Sequence, residues 1–243
     1  MHKKSIILLV LILLTPIFME LQAQTPKELR IELREARRAR KDSLQSLPVN
    51  DYISLNLVSL LPTDTPRINI GYVKSLNEKF AVGASVGIGT NALTYPYKED
   101  YFLWEIRPEF IYNLGKRGRF QHFLGLETFY ISNRETLRNS RFEPVNDQGG
   151  TIELIRYDRA DFERTKYGAV INYGEYINFS SRLALRTTIG AGIRFKDNSF
   201  TNVVNPRIDQ FDTDGFIISG YDREGSRLGF ELNLDFQLIY KFN

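Results

Sequence analysis

The segment RLGFELNLDFQLIYKFN, Arg227 to Asn243, decides the fold. Every even position in it is apolar: Leu228, Phe230, Leu232, Leu234, Phe236, Leu238, Tyr240 and Phe242. The odd positions between them are Gly229, Glu231, Asn233, Asp235, Gln237, Ile239 and Lys241. Successive side chains of a strand point to opposite faces, so this alternation predicts one long strand with an apolar face and a polar face. A soluble barrel turns the apolar face inward, whereas a membrane barrel turns it outward. The choice between these two solvents decides where the protein works.

Working back from this strand, a period of two recurs from Tyr52 onward. It predicts eight strands over about 51–61, 66–75, 79–89, 101–114, 119–132, 162–177, 181–195 and 227–242. The connections PTDTP, SLNEK, GKRG and NFSSR are short and rich in turn residues. Those near 90–100, 133–161 and 196–226 are long, polar and charged. Short turns at one end and long loops at the other describe an eight-stranded antiparallel up-and-down transmembrane β-barrel, although PTDTP is brief for an outward connection. No solenoid period, heptad pattern or low-complexity tract interrupts it.

The face opposite the apolar one identifies the interior. In the third segment Phe80, Val82, Ala84, Val86 and Ile88 oppose Ala81, Gly83, Ser85, Gly87 and Gly89. In the seventh, Leu183, Leu185, Ile189, Ile193 and Phe195 oppose Ala184, Arg186, Thr188, Gly190, Gly192 and Arg194. Water gives a strand no reason to shed side chains, and glycine weakens it. An eight-stranded interior does have such a reason, because it is only just wide enough for its own side chains. By parity the polar face carries Arg67, Arg107, Arg186 and Arg194 together with Glu105, Glu109, Glu127, Glu231 and Asp235. That near-balance suits a closed core in which buried charges are paired. Aromatic residues gather toward the strand ends. Tyr72, Phe80, Tyr112, Phe120, Tyr240 and Phe242 lie toward one boundary, and Trp104, Tyr130, Tyr167 and Phe195 toward the other. Two girdles flanking an aliphatic band match a membrane barrel.

The start of the chain points to the same compartment. His2-Lys3-Lys4, the apolar run Ile6 to Leu14 and Leu21-Gln22-Ala23 have the layout of a secretory signal peptide over 1–23, with cleavage after Ala23. Its apolar run is shorter than a spanning helix needs. Residues 24–49 read as a basic periplasmic helical segment. Thr25-Pro26-Lys27-Glu28 is a capping box with proline at the first helical position, and Pro48 ends the helix. Seven Lys/Arg against four Asp/Glu suit a solvated spacer or a helix resting on an anionic surface. The barrel domain is then 50–243. A net charge of +3 in 243 residues does not point to a nucleic-acid partner. The absence of cysteine removes disulfides, thiol chemistry and lipoprotein-type acylation.

At this point ISLNLVSLLPT followed by INIGYVKSLNEKFAVGASVGIG, with LDFQLIYKF near the end, resembles small outer-membrane β-barrels of the OmpX and OmpA-transmembrane-domain type. It is similar, more closely, to uncharacterised small barrels of that class. The resemblance is one of pattern over roughly 50–243. It implies fold and outer-membrane address, contact with outer-membrane lipids and lipopolysaccharide, and recognition of the last strand by the barrel-assembly machinery. In such signals the final residue is often aromatic, whereas here Asn243 follows Phe242. No catalytic residue carries over.

Catalytic chemistry finds little purchase in the sequence. His122 is the one histidine after the signal peptide, and it shares the apolar parity of Phe120, Leu124 and Leu126. General-base work needs an orienting partner, and no serine or carboxylate is evident beside it. Glu105, Glu109 and Glu127 read as ion-pair partners of Arg107 and Arg186 rather than as an acid–base pair. The stretch DQFDTDG (Asp209–Gly215) fails as a calcium loop, because Gln210 and Tyr221 stand where acids are required. A loose cation contact through Asp209, Asp212 and Asp214 stays open. No cofactor pattern is present. The 133–161 loop, with Arg134, Arg138, Arg141, Arg156 and Arg159 beside Glu135, Glu143, Asp147 and Asp158, suits lipopolysaccharide phosphates, a protein partner, or mere solvation. The expected role is structural or surface-interacting and non-catalytic. A narrow small-solute channel is the alternative, and a lipid-modifying enzyme a more remote one.

Overall fold

A computed structural model describes residues 30–31, 33–39, 50–61, 64–94, 98–117, 120–145, 154–209 and 223–242. The chain divides into two compact units, Met1–Ser43 and Leu44–Asn243. In the first unit the described residues are helical and exposed. The expected signal peptide and both ends of the expected 24–49 helix lie outside the described residues. Among the described residues no helix is long and apolar enough to cross a membrane.

The second unit is a single antiparallel sheet closed on itself. Its strands are β1 (Tyr52–Asn56), β2 (Ile68–Ser75), β3 (Phe80–Thr90), β4 (Glu99–Arg117), β5 (Phe120–Phe142), β6 (Leu154–Asn178), β7 (Leu183–Val204), β8 (Arg207–Asp209) and β9 (Gly225–Lys241). The order around the ring is β5-β4-β3-β2-β1-β9-β7-β6, and the β5–β6 pairing closes it. The short β8 adds to the free side of the upper part of β6. This is the expected all-β, eight-stranded up-and-down barrel. All eight sequence segments are strands of the ring.

The turns form where side chains can replace ladder bonds. Asn77 Oδ1 accepts from the backbone N–H groups of Lys79 and Phe80, both at 2.9 Å, which tightens the β2–β3 hairpin. Ser180 Oγ does the same for Leu183, at 2.9 Å, between β6 and β7. Both turns lie at the end of the barrel where β1 begins and β9 finishes, here called the near end.

Two expectations about strand length are corrected. The first strand stops at Asn56 instead of running to 61, and Val58–Leu60 form a 3-10 turn. Asn56 Oδ1 accepts from Ser59 N–H at 3.1 Å and Ser59 Oγ donates to the Asn56 carbonyl, so the chain turns in on itself. Consequently β9 before Gln237 has β7 on one side and no strand on the other among the described residues. Leu57 N–H donates to Phe236 O as the last link across that seam. The second correction concerns the expected 133–161 loop, which is strand as far as Phe142 and again from Leu154. There β5, β6 and β7 rise past the rest of the wall as an extension. Around it the apolar alternation fades and charge occupies the outward positions, so the period-two signal is lost although the backbone pairing continues.

The core contains two kinds of material. The outward face of the ring is apolar: Leu232 and Phe230 are 82% and 84% exposed. The interior holds Glu105 and Arg186 at 1% and 2%. Buried apolar residues form separate layers within it. One, at the near end, is built on Tyr52, Ile111, Phe123, Tyr176 and Ile239. A second contains Tyr101, Leu103, Phe129, Ile131 and Val170. The third, Phe142, Tyr157, Ala160, Phe162 and Phe200, fills the extension at the far end.

Candidate functional site

Two regions bring chemically active side chains together: the interior of the ring and the far-end extension. In the interior, inward positions on β2, β3 and β4 fall at odd numbers, which aligns Arg67, Glu105, Arg107 and Glu109. Arg67 Nε donates to Glu105 Oε1 at 2.6 Å, and Asn69 Nδ2 donates to the same oxygen at 2.6 Å. Arg107 bridges two carboxylates, with Nε 3.0 Å from Glu105 Oε2 and Nη1 2.7 Å from Glu127 Oε1. Arg186 engages Glu109 through both terminal nitrogens, at 2.8 and 2.5 Å, the fork geometry that guanidinium offers a carboxylate. Its guanidinium also stands 4.7 Å from the centre of the Phe123 ring.

Nearer the far end, Glu231 takes Arg194 Nη1 at 2.8 Å and Lys166 Nζ at 2.6 Å. Asp235 accepts from Asn56 Nδ2 at 2.8 Å rather than from a cation. The nine charged residues singled out by parity therefore all line the interior, and eight of them make ion pairs there. Sequence reasoning missed Lys166. It is an even, inward position of β6, where the two faces contrast weakly, and it brings these ten charges to five of each sign. Phe129 lies between Arg107 and Lys166, whose charged groups are 5.3 and 5.5 Å from its ring centre.

The small inner face of β3 makes room for this network. A Cβ added at Gly87 would stand 2.6 Å from Glu105 Oε1 and 2.7 Å from its Cγ. Glycine there is a packing requirement, since any side chain would displace the carboxylate that holds both Arg67 and Arg107. At the near end the Tyr52 and Tyr176 hydroxyls meet at 3.1 Å over the first apolar layer.

On the outside, the expected girdle residues fall into two groups. Trp104 and Tyr130 have ring centres 5.1 Å apart, and Tyr167 stacks on Phe195 at 5.4 Å. Toward the near end Tyr112 packs with Phe80 at 5.3 Å, and Phe242 with Tyr240 at 6.0 Å and with Tyr72 at 6.4 Å. Between Leu183 and Phe195 on β7 there are 12 residue steps, or about 30 Å of rise at ~3.3 Å per residue and ~40° tilt.

His122 requires a correction. A carboxylate does stand beside it: Glu175 Oε2 is 4.0 Å from Nδ1, and the Tyr173 hydroxyl is 2.9 Å from the same nitrogen. Both come from β6, whose outward odd positions lie beside the outward even positions of β5. The expected cation contact through Asp212 and Asp214 lies outside the described residues, as does the side chain of Asp209 and all of Asp147. Among the described residues no group of three or more His, Asp and Glu could hold a metal ion.

The extension carries a cleft of about 540 Å³ lined by Asp100, Phe102, Arg134, Thr136, Asp161 and Glu163, among others. Thr136 Oγ1 lies 3.0 Å from Asp100 Oδ2 and 3.4 Å from Asp161 Oδ1. Arg134 covers the Phe102 ring, 5.2 Å from its centre. At the extension's edge Arg138 forks onto Glu99, at 2.5 and 2.9 Å, and that hydrogen-bonded guanidinium holds the Glu99 carboxyl below its ordinary range. Glu135, expected in the loop, instead points inward and pairs with Lys98 at 2.8 Å. Glu143 pairs with Arg223.

No protein-family model, curated protein or solved structure matches this chain.

Proposed function

We propose that the chain is an integral outer-membrane β-barrel protein whose interior is structural and whose far-end extension is its interaction surface, without catalytic activity. The observation that carries this reading is the inverted distribution of polarity. Large apolar side chains cover the outside of a closed ring while ion pairs fill its inside. A closed ring suits a bilayer because every backbone group must find its partner within the protein. The two aromatic groups, about 20–30 Å apart at ~3.3 Å per residue and ~40° tilt, bracket a band close to the apolar height of a membrane barrel. The expected signal peptide supports export, and in this reading the near end faces the periplasm.

The alternative, a narrow channel, has less support, because apolar layers and ion pairs occupy the interior at successive heights. An enzymatic reading centred on His122 would set its Tyr173 and Glu175 partners in the headgroup layer on the outer wall, where the three side chains stand on a lipid-facing surface. The membrane reading is tested by fractionating cells and running unheated samples on gels. Recovery in the outer-membrane fraction with heat-modifiable mobility is expected, and recovery as a soluble periplasmic protein rejects it. Reconstitution in planar bilayers is expected to give no unitary conductance, and steady channel openings would favour the alternative.

A further inference from the structure

Three arginines stand in a row across three neighbouring strands of the extension. Arg141 on β5 is the register partner of Arg156 on β6, and Arg156 is in turn the partner of Arg207 on β8. Residues directly opposite in an antiparallel ladder share a face, with Cβ atoms about 5 Å apart. Three residues earlier on β5, Arg138 opposes Arg159. Like charges placed opposite one another destabilise a ladder. Part of this repulsion is relieved within the chain. Arg207 Nη2 lies 3.1 Å from Asp158 Oδ1, whose other oxygen accepts from Asn205 Nδ2, and Arg138 is held by Glu99. Arg156, exposed in the middle of the row, forms no ion pair with a described carboxylate.

An anion supplied from outside would relieve that repulsion. Guanidinium forks match phosphate oxygens in spacing and charge. Height identifies what carries the phosphate. Arg141 lies 11 residues beyond Tyr130 along β5, about 28 Å of height at ~3.3 Å per residue and ~40° tilt. The headgroup layer on each side of a bilayer is only about 5–8 Å deep. Lipid phosphates therefore lie well below the row, and surface saccharides occupy its level.

We propose that the Arg141–Arg156–Arg207 row binds phosphate groups carried on a surface glycan. The source of the ligand rests on the membrane reading, which fixes what lies at that height. The site itself rests on the register.

The test uses the full chain folded in detergent micelles, with folding scored by gel mobility so that a failed membrane reading registers separately from failed binding. The probe is the phosphorylated oligosaccharide left when lipopolysaccharide is stripped of its acyl chains, compared with the same oligosaccharide after dephosphorylation. Dephosphorylation and Arg156→Gln are each expected to weaken binding about tenfold. Arg156→Lys should fall between, because it keeps the charge and loses the fork. The second readout has the opposite sign: Arg156→Gln should make the barrel slightly more resistant to urea, because two like-charge contacts disappear. Equal affinity for the dephosphorylated probe, or an unchanged affinity in Arg156→Gln, overturns the proposal. So does equal binding by a single-stranded DNA oligonucleotide of matched charge, or by phosphatidylglycerol vesicles, since neither ligand is a glycan.

Discussion

Arginine serves opposite ends in the ring and in the far-end extension. Inside the ring Arg107, Arg186 and Arg194 each meet a carboxylate within 3.0 Å, and Glu127 on β5 and Lys166 on β6 belong to the same network. Toward the far end of the same two strands, arginine faces arginine. Burial explains the difference. An uncompensated charge in the interior costs several kcal/mol, so each one there is met by an opposite charge or, at Asp235, by a hydrogen-bonding amide. In the extension water screens the repulsion, and the cost falls to a few tenths of a kcal/mol per pair. The charge pattern of the interior is therefore enforced by folding, whereas that of the extension is left free for binding.

The largest effect expected from this contrast lies at Arg186. Replacing it with alanine leaves Glu109 charged among Tyr52, Phe123 and Tyr176, and should lower unfolding stability by about 3–5 kcal/mol. Urea unfolding in micelles, followed by tyrosine fluorescence or gel mobility, measures it. The double variant Arg186→Leu with Glu109→Leu should recover most of the loss, because no lone charge remains. A double variant as weak as the single one would show that the fork, rather than charge compensation, holds the two strands. Gly87→Val comes next. It forces Glu105 from between Arg67 and Arg107, and overpacking of this kind costs about 1–3 kcal/mol. Gly115, with φ of 103° and open space around it, provides the control. Valine there strains only the local backbone.

How much of this was legible in the sequence follows the same division. Where one face is apolar throughout and the other lines the interior, alternation is strict, and Leu228 to Phe242 and Phe80 to Gly89 announce both the strand and its facing. The nine interior charges followed from parity alone. Lys166 escaped because β6 interleaves Lys166, Gly168 and Asn172 with Tyr167, Ala169 and Ile171, a weaker contrast. The extension escaped because its outward positions are charged and its inward ones change phase around Asn139, which sits at φ 49°. Left-handed backbone shifts alternation out of step, so Phe142 and Tyr157 read as scattered aromatics instead of a third core layer. The early end of β1 was hidden for a different reason. LNLVSLL keeps its apolar residues while Asn56 turns its own side chain back to the chain, a local hydrogen bond that periodicity does not register. The row of arginines needed the register itself, since residues 141, 156 and 207 acquire a common face only through two ladders.

The smallest expected effect concerns pH and tests whether the extension can lose a pair without troubling the ring. Glu99 is exposed, and Arg138 holds its carboxyl below the ordinary range of about 4.3. A depressed folded-state value means that the pair stabilises fully above the unfolded value and is lost as pH falls through the folded one. Acidification from about pH 5 to pH 3 should therefore release Arg138 and raise amide exchange at Glu99, Asp100 and Arg138, with no change at Glu105 or Arg186. In Glu99→Gln that pH dependence should disappear and exchange at these sites should be fast throughout. If protection in the ring fell at the same pH, the extension and the barrel would be one cooperative unit, and the freedom argued for the arginine row would have no physical basis.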